Sequence, residues 1–371
     1  MELVSLSDYI FLILKILLVI GFIEVVFLVS YRLKNGVPYF FVKKIPLKKF
    51  HIIPHPYIPF IYKKGIITPE KRKDFPNYRN YLFPSVKINN LQFVNGENGD
   101  RDVVIPKPKD LTRVNCLGAS VTSNYVREND KNFSYPMELE RILKSKYQNK
   151  NIEVNNCAQG GYNSADILVR TALSILDTQP DYVTIHHGFN DVRSYLTDDF
   201  KSDYSHSRNN LGDNFWKFYF SSLLPDIPLN FYNYLKNKIL PSPNIRHALL
   251  DVIAKGKENI NADYKVGLKT FERNIKSIIS LFKSVNTKVI LCTYTYHLFD
   301  NLKKNKVQNL YSEIVKKENE IIRKLALEFN IDLVDADKII EKTKENFVDS
   351  MHYSKSGMTI LAKAISQKIN L

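Results

Sequence analysis

Four side chains in this 371-residue chain have the types and settings that acyl transfer needs: Ser120, Asn190, Asp349 and His352. The stretch "DSMH" puts Asp349 three residues before His352, just ahead of an amphipathic pattern. An imidazole held by a carboxylate keeps one tautomer and gains basicity, as a general base requires. Those two residues alone read equally well as a surface Asp and a polar His at a helix start, so the question is whether a nucleophile meets them. Ser120 stands in "CLGASVTSNYV", after an apolar run and beside Gly118, which permits a sharp turn. By itself it could be a helix cap. The segment "NNCAQGGYNSAD" offers glycines whose backbone amides can approach a ligand closely, and "HHGFNDV" offers the Asn190 amide. A hydroxyl, a base with its orienting carboxylate, and two or three donors for an oxyanion are the parts of nucleophilic ester chemistry. Ser120, His352 and Asp349 fill the first three roles. The N–H groups of Ser120 and Gly161, with the Asn190 side chain, fill the oxyanion hole.

These residues need a scaffold, and the sequence supplies a rhythm from residue 113. Apolar runs rich in Val and Ile recur at "RVNCLG", "IEVNNCA", "DYVTIHHG", "TKVILCTYTY" and "IDLVDA". Most are separated by helical patterns such as "SYPMELERILKSKY", "SADILVRTALSILDTQ" and "VQNLYSEIVKKENEIIRKLALEFN". Strands alternating with helices imply an α/β fold with a parallel sheet covered on both faces. Ligands of such sheets bind outside the carboxyl ends of the strands. The candidate serine, glycines and asparagine all stand at such ends.

With those blocks identified, the chain resembles the SGNH/GDSL-type serine hydrolases. "GASVT" matches their serine block, "NNCAQGGYNS" the glycine block, "GFND" the G-x-N-D block and "DSMHYSKSGMTILA" the D-x-x-H block. The likeness covers about residues 113–369, with the four blocks in order. It implies a flavodoxin-like three-layer α/β/α sandwich with a central sheet of about five strands. It also implies metal-free ester hydrolysis or acyl transfer without a cofactor. Ala119 stands where the family's G-D-S commonly has Asp, which bears on substrate geometry rather than on the triad. Aligning the glycine block favours Gly161 as the oxyanion donor, with Gly160 its neighbour. The G-x-S-x-G elbow of the α/β-hydrolases is absent, because Thr122 occupies its second glycine position.

Three segments follow from composition. Tyr9 to Tyr31, "YIFLILKILLVIGFIEVVFLVSY", is apolar apart from Lys15 and Glu24. At ~1.5 Å per residue it is long enough for a hydrocarbon core of ~30 Å. No small-residue cleavage site follows it, so residues 1–35 are expected to be an uncleaved membrane anchor. Residues 36–112 are expected to be a basic, β-rich accessory segment, since short β-type runs alternate there with Pro, Gly and Asn signals. Residues 32–112 carry 16 Lys/Arg against 6 Asp/Glu, most of the net charge of +15. Beside a span, that charge suits anionic lipid headgroups. No nucleic-acid recognition motif accompanies it, and nucleic acid is not an expected partner. The flanking charges favour a cytoplasmic catalytic domain by the positive-inside rule. That domain is expected over 113–371, with an insertion at 192–265 holding eight aromatics between Phe215 and Tyr234. The insertion reads as a helical subdomain or a substrate lid, which are compatible.

The remaining chemistry-bearing residues read as structural. Cys116, Cys157 and Cys292 each lie in an apolar run without metal or redox spacing. His186 and His187, expected within the third strand, point to opposite faces and suit packing. His297 follows the fourth strand and could line the cleft. No metal site is expected. The leading reading is a membrane-anchored esterase acting on acyl groups, such as acetyl, of a carbohydrate or lipid-linked substrate. An O-acyltransferase using the same triad and a non-catalytic binding module on the same fold are the alternatives.

Overall fold

The computed structural model describes residues 6–35, 52–67 apart from 54, 56 and 63, 86–95, 101–206 apart from 124, 125, 129, 130, 198 and 199, 229–239, and 259–371. The five apolar runs become strands β1 (Leu111–Gly118), β2 (Asn151–Asn156), β3 (Tyr182–His186), β4 (Lys288–Cys292) and β5 (Asp332–Val334). They form one sheet in the order 2-1-3-4-5, and every neighbouring pair is parallel. The strand order reverses between β1 and β3, and a crevice opens at such a switch point. β3 ends one residue earlier than the sequence pattern suggests, leaving His187 just beyond the ladder.

The helices are α1 (Leu6–Asn35), α2 (Ser120–Ser123), α3 (Tyr135–Lys146), α4 (Ser164–Arg170), α5 (Asn190–Tyr195), α6 (Asn230–Ile239), α7 (Lys265–Ser284), α8 (Lys306–Glu328), α9 (Ala336–Ile339) and α10 (Lys355–Lys368). Their starts are chemically marked. Ser134 accepts from the Met137 N–H, and Pro136 occupies the first turn of α3. Asn163 and Asp166 form a reciprocal capping box at α4, each side chain accepting from the other's backbone at 3.1 Å. The long pattern 164–179 is not one uniform helix. After Arg170 it widens into a π-type turn at Thr171–Ile175 and tightens at Leu176–Thr178.

The connection from β1 to β2 runs one way along the sheet and that from β2 to β3 runs back. Right-handed crossovers therefore put α3 and α4 on opposite faces. α10 packs with α3, while α7 packs with α4, α5 and α8, giving the two outer layers. The sheet's own residues, among them Val114, Cys116, Val183, Ile185, Ile290 and Cys292, are buried. Arg113 is fully buried in β1 and survives there because Glu153 and the Thr178 carbonyl pair with its guanidinium. All three cysteines are free and buried. Burial pushes the Cys116 thiol up to about 12, so it stays an inert thiol at neutral pH.

Ahead of the sheet lie small antiparallel ribbons, Ile52–Ile53 with Ile61–Tyr62 and Gly65–Ile67 with Val86–Ile88. The chain divides into two compact units. One comprises residues 51–207 and 253–371; the other comprises residues 1–50 and 208–252. In the second unit α1 is a single 30-residue helix whose apolar side chains are mostly exposed. It is long and apolar enough to cross a membrane. Of the aromatic stretch in the insertion, Phe215 to Phe220 fall outside the described residues, whereas Phe231 and Tyr234 pack on α1.

Candidate active site

β1 delivers Ser120 to the switch point through a turn with no spare room. A methyl group on Gly118 would collide with the Thr122 side chain and the His186 carbonyl, so only glycine fits. Ser120 then opens α2, and its Oγ lies 2.9 Å from His352 Nε2. His352 Nδ1 lies 2.8 Å from Asp349 Oδ2. The other oxygen, Oδ1, accepts the backbone N–H groups of Met351 and His352, each at 2.8 Å. Asp349 is thus fixed before α10 begins. Burial alone would raise its carboxyl. The hydrogen bond and charge of His352 and the two backbone N–H groups outweigh burial and hold it down at about 2. An ionised carboxylate on Nδ1 favours the ring proton there, with Nε2 facing the Ser120 hydroxyl as acceptor.

Asn190 lines the same recess as Ser120. A Cβ built on Gly160 would lie 3.9 Å from the Ser120 Cβ, so the glycine block runs alongside the serine. Gly161 has φ +88, a conformation that side chains strongly disfavour. Asn190 begins α5, and its side-chain amide donates to the Tyr162 carbonyl at 2.8 Å. An amide NH₂ carries two hydrogens, so this tether leaves one to offer a ligand. Beside Ser120 is a narrow recess lined by Ala119, Val121, Phe189, Asn190, Tyr294 and the two histidines. Its lining at position 119 is a methyl group rather than a carboxylate.

His186 and His187 do face opposite sides, as packing groups. His186 stacks on Tyr294 and meets the Tyr353 hydroxyl at 3.2 Å. Burial, and secondarily His187, lowers its pKa to about 3, so it is neutral. His187 Nε2 bonds Asp191 at 2.5 Å. His297 packs against Phe299 and Phe347 and does not line the recess. Among the described residues, no cluster of His, Cys, Asp and Glu could hold a metal ion.

Two partners of the site were not singled out from sequence. The first is Asp191, fully buried. It accepts from the Ser164 N–H at 2.9 Å, the Ser164 hydroxyl at 2.6 Å and the Tyr204 hydroxyl. It thereby ties the start of α4, after the glycine block, to the residue following Asn190. Its place in "GFND" was the available signal. The second is the segment from Ile58 to Tyr62. Tyr162 donates to the Phe60 carbonyl at 2.6 Å, and the Tyr62 N–H donates to the Gln159 side chain at 3.1 Å. The Tyr62 hydroxyl meets the Ser123 side chain and the Gly160 backbone N–H. A short ribbon from the basic segment therefore braces the glycine block, and no motif announces it.

The family model for the GDSL-like lipase/acylhydrolase family matches residues 116–360, which take in the first three blocks and the fourth as far as Ile360. Among solved structures, the acetylxylan esterase Axe2 from Geobacillus stearothermophilus is 18% identical, with 71% of this chain and 97% of that one covered at a TM-score of 0.43. A putative GDSL-like lipase from Parabacteroides merdae is 15% identical, with 71% and 97% covered at a TM-score of 0.45. Likenesses at that level carry no inference about substrate. No curated protein matches the chain. The match to the family model spans about two thirds of the sequence and runs from within β1 into α10: the chain belongs to the GDSL-like lipase/acylhydrolase family and is a hydrolase of ester bonds.

Proposed function

We propose that this hydrolase is a membrane-anchored serine esterase that removes short acyl groups, acetyl foremost, from a carbohydrate or lipid-linked alcohol. The observation that carries the mechanism is the hydrogen-bonded chain Ser120 Oγ, His352 Nε2 and Nδ1, Asp349 Oδ2, at 2.9 and 2.8 Å. Ser120 Oγ attacks the ester carbonyl carbon while His352 Nε2 takes the hydroxyl proton. The carbonyl oxygen becomes an oxyanion, received by the N–H groups of Ser120 and Gly161 and by the Asn190 amide. Gly161 is the donor that the aligned glycine block favours, and the Tyr62 hydroxyl beside Gly160 supports that choice. Collapse of the tetrahedral intermediate breaks the ester C–O bond, and His352 returns its proton to the departing alkoxide. Water then attacks the acyl-Ser120 carbon, giving its proton to His352, and the second collapse releases the carboxylic acid and restores the Ser120 hydroxyl.

The short-acyl preference is supported by the small recess beside Ser120, whose walls include Ala119, Phe189 and Tyr294. The anchor is supported by the length and apolar composition of α1, with the basic segment 32–112 resting on anionic headgroups. A fluorophosphonate probe tests the nucleophile. Wild-type protein should become covalently labelled and Ser120→Ala should not; a folded wild type that ignores the probe removes the serine mechanism.

A further inference from the structure

Glu24 poses a physical problem if α1 spans a bilayer. A hydrocarbon core takes about 20 helical residues. In a 28-residue apolar helix, Ser7–Lys34, residues 15–26 fall inside every such window, so Glu24 cannot be slid into water. Its surroundings show what it does there. Between Gly21 and Tyr31 of α1, the residues that are partly covered are Glu24, Phe27, Leu28 and Tyr31. Spacings of three, four and seven put them on one face, the pattern of a helix–helix seam. The helix on that seam is α6. Phe231 lies 5.5 Å from Phe27, and Tyr234 lies 4.9 Å from Phe27 and 6.1 Å from Tyr31, ring centre to ring centre. The Glu24 carboxylate accepts the backbone N–H of Asn230 at 2.5 Å and that of Phe231 at 2.8 Å.

We propose that α6 is a second membrane-inserted element, a half-helix that starts inside the hydrocarbon, is capped there by Glu24, and shares with α1 a sheath of lipid acyl chains. This rests on the reading of α1 as a membrane span. In lipid, a helix end is tolerated only where protein satisfies its backbone groups, because no water is available to do so. Each partner solves the other's problem. The carboxylate takes two orphan N–H groups and faces the positive end of the α6 dipole, and those N–H groups give the carboxylate the partners it lacks in hydrocarbon. The ring contacts run from Glu24 toward Tyr31 as α6 runs from Phe231 toward Tyr234, so the two helices point the same way. α6 therefore rises from the bilayer interior toward the interface where α1 ends. The last turn of α1 carries Arg32 and Lys34, which suits the headgroup level. Since α6 is inserted in sequence between the two halves of the hydrolase unit, that unit would be tied to the bilayer by more than its N-terminal leader.

The test uses full-length protein in vesicles whose phosphatidylcholine carries brominated acyl chains, which quench nearby indoles. The sequence has one tryptophan, so Trp216→Phe gives a silent background into which Val19→Trp, on α1, and Tyr232→Trp, on α6, are placed separately. Both should lose emission relative to vesicles of unbrominated lipid. Quenching at position 19 but not at 232 would overturn this inference and leave the anchor standing; quenching at neither would remove both. Glu24→Leu, which does not oppose insertion of α1, should then abolish quenching at 232 while keeping it at 19. Unchanged quenching at 232 in that variant would strike Glu24 from the role of cap.

Discussion

Asn190 is bonded to the residue that follows the glycine block: its side-chain amide donates to the Tyr162 carbonyl at 2.8 Å. The tether holds two proposed oxyanion donors, Gly161 and Asn190, in one frame. It also gives Asn190 two separable jobs, one in folding and one in the transition state. Asn190→Ala should lower kcat by roughly 10²–10³, the usual cost of removing one oxyanion donor. Folding stability should fall only by what a single hydrogen bond contributes, about 1 kcal/mol. KM should change little, because the ground-state carbonyl gains less from that donor than the oxyanion does. A variant that melts early yet turns over normally where folded would take Asn190 off the list of donors.

Tyr62 offers a cleaner separation. Its hydroxyl meets Ser123 and the Gly160 N–H, while its ring packs near Ile88 and Val94. Tyr62→Phe keeps the ring and removes only the hydroxyl. Up to about tenfold of kcat should be lost, the equivalent of one hydrogen bond, with the melting temperature nearly constant. Steady-state kinetics beside a thermal melt would decide this. Equal kcat in the variant would reduce the Ile58–Tyr62 segment to a packing element.

The neighbouring glycines should respond differently to alanine. Gly161 has φ +88, so Gly161→Ala carries backbone strain of about 1–3 kcal/mol and should lower both kcat and the melting temperature. Gly160 lacks that conformation, and an added Cβ would find its neighbours at 3.7 Å or beyond, an ordinary contact. Gly160→Ala should therefore melt like wild type. Melting curves of the two variants, taken together, are the check.

Glu318 sets a pH dependence of stability. It is fully buried in α8 near Asp191, bonded to the Tyr195 hydroxyl at 3.0 Å. Burial, and secondarily Asp191, pushes its carboxyl well above the ordinary 4.5. A carboxyl raised on folding favours the folded state below its unfolded pKa, and that advantage is lost as pH rises toward the folded value. Stability should thus decline as pH climbs above about 4.5 through neutrality. Glu318→Gln, which cannot ionise, should flatten the decline and be the more stable protein at neutral pH. Chemical melts across that range would expose a wrong assignment as two parallel profiles.

Much of the fold was written locally. Strand and helix periodicities follow from which residues can be buried on a pleat or on one helix face, and those are properties of short stretches. The runs that became β1 to β5 were visible for that reason. Ser120, Gly161, Asn190, Asp349 and His352 could be named because their blocks are contiguous motifs at strand and helix ends. The sequence rhythm did not show where "TKVILCTYTY" leaves the ladder at Cys292 or that the helix after Arg170 widens, because neighbouring strands and packing impose both.

Tertiary structure decided the relationships that span the chain. Ser120 and His352 meet across 232 residues, Tyr62 and Gln159 across 97, and Phe231 and Glu24 across 207. No short-range preference encodes such pairs. They form because closing the sheet in the order 2-1-3-4-5 brings separate strand ends to one edge, and because a buried donor or charge must find a partner wherever the chain supplies one. The sequence by itself determined which residues are candidates for the chemistry and on what kind of sheet they stand. Only the folded chain decided that Gly161 takes a left-handed turn, that Asn190 is tethered to Tyr162, and that Glu24 is a helix cap.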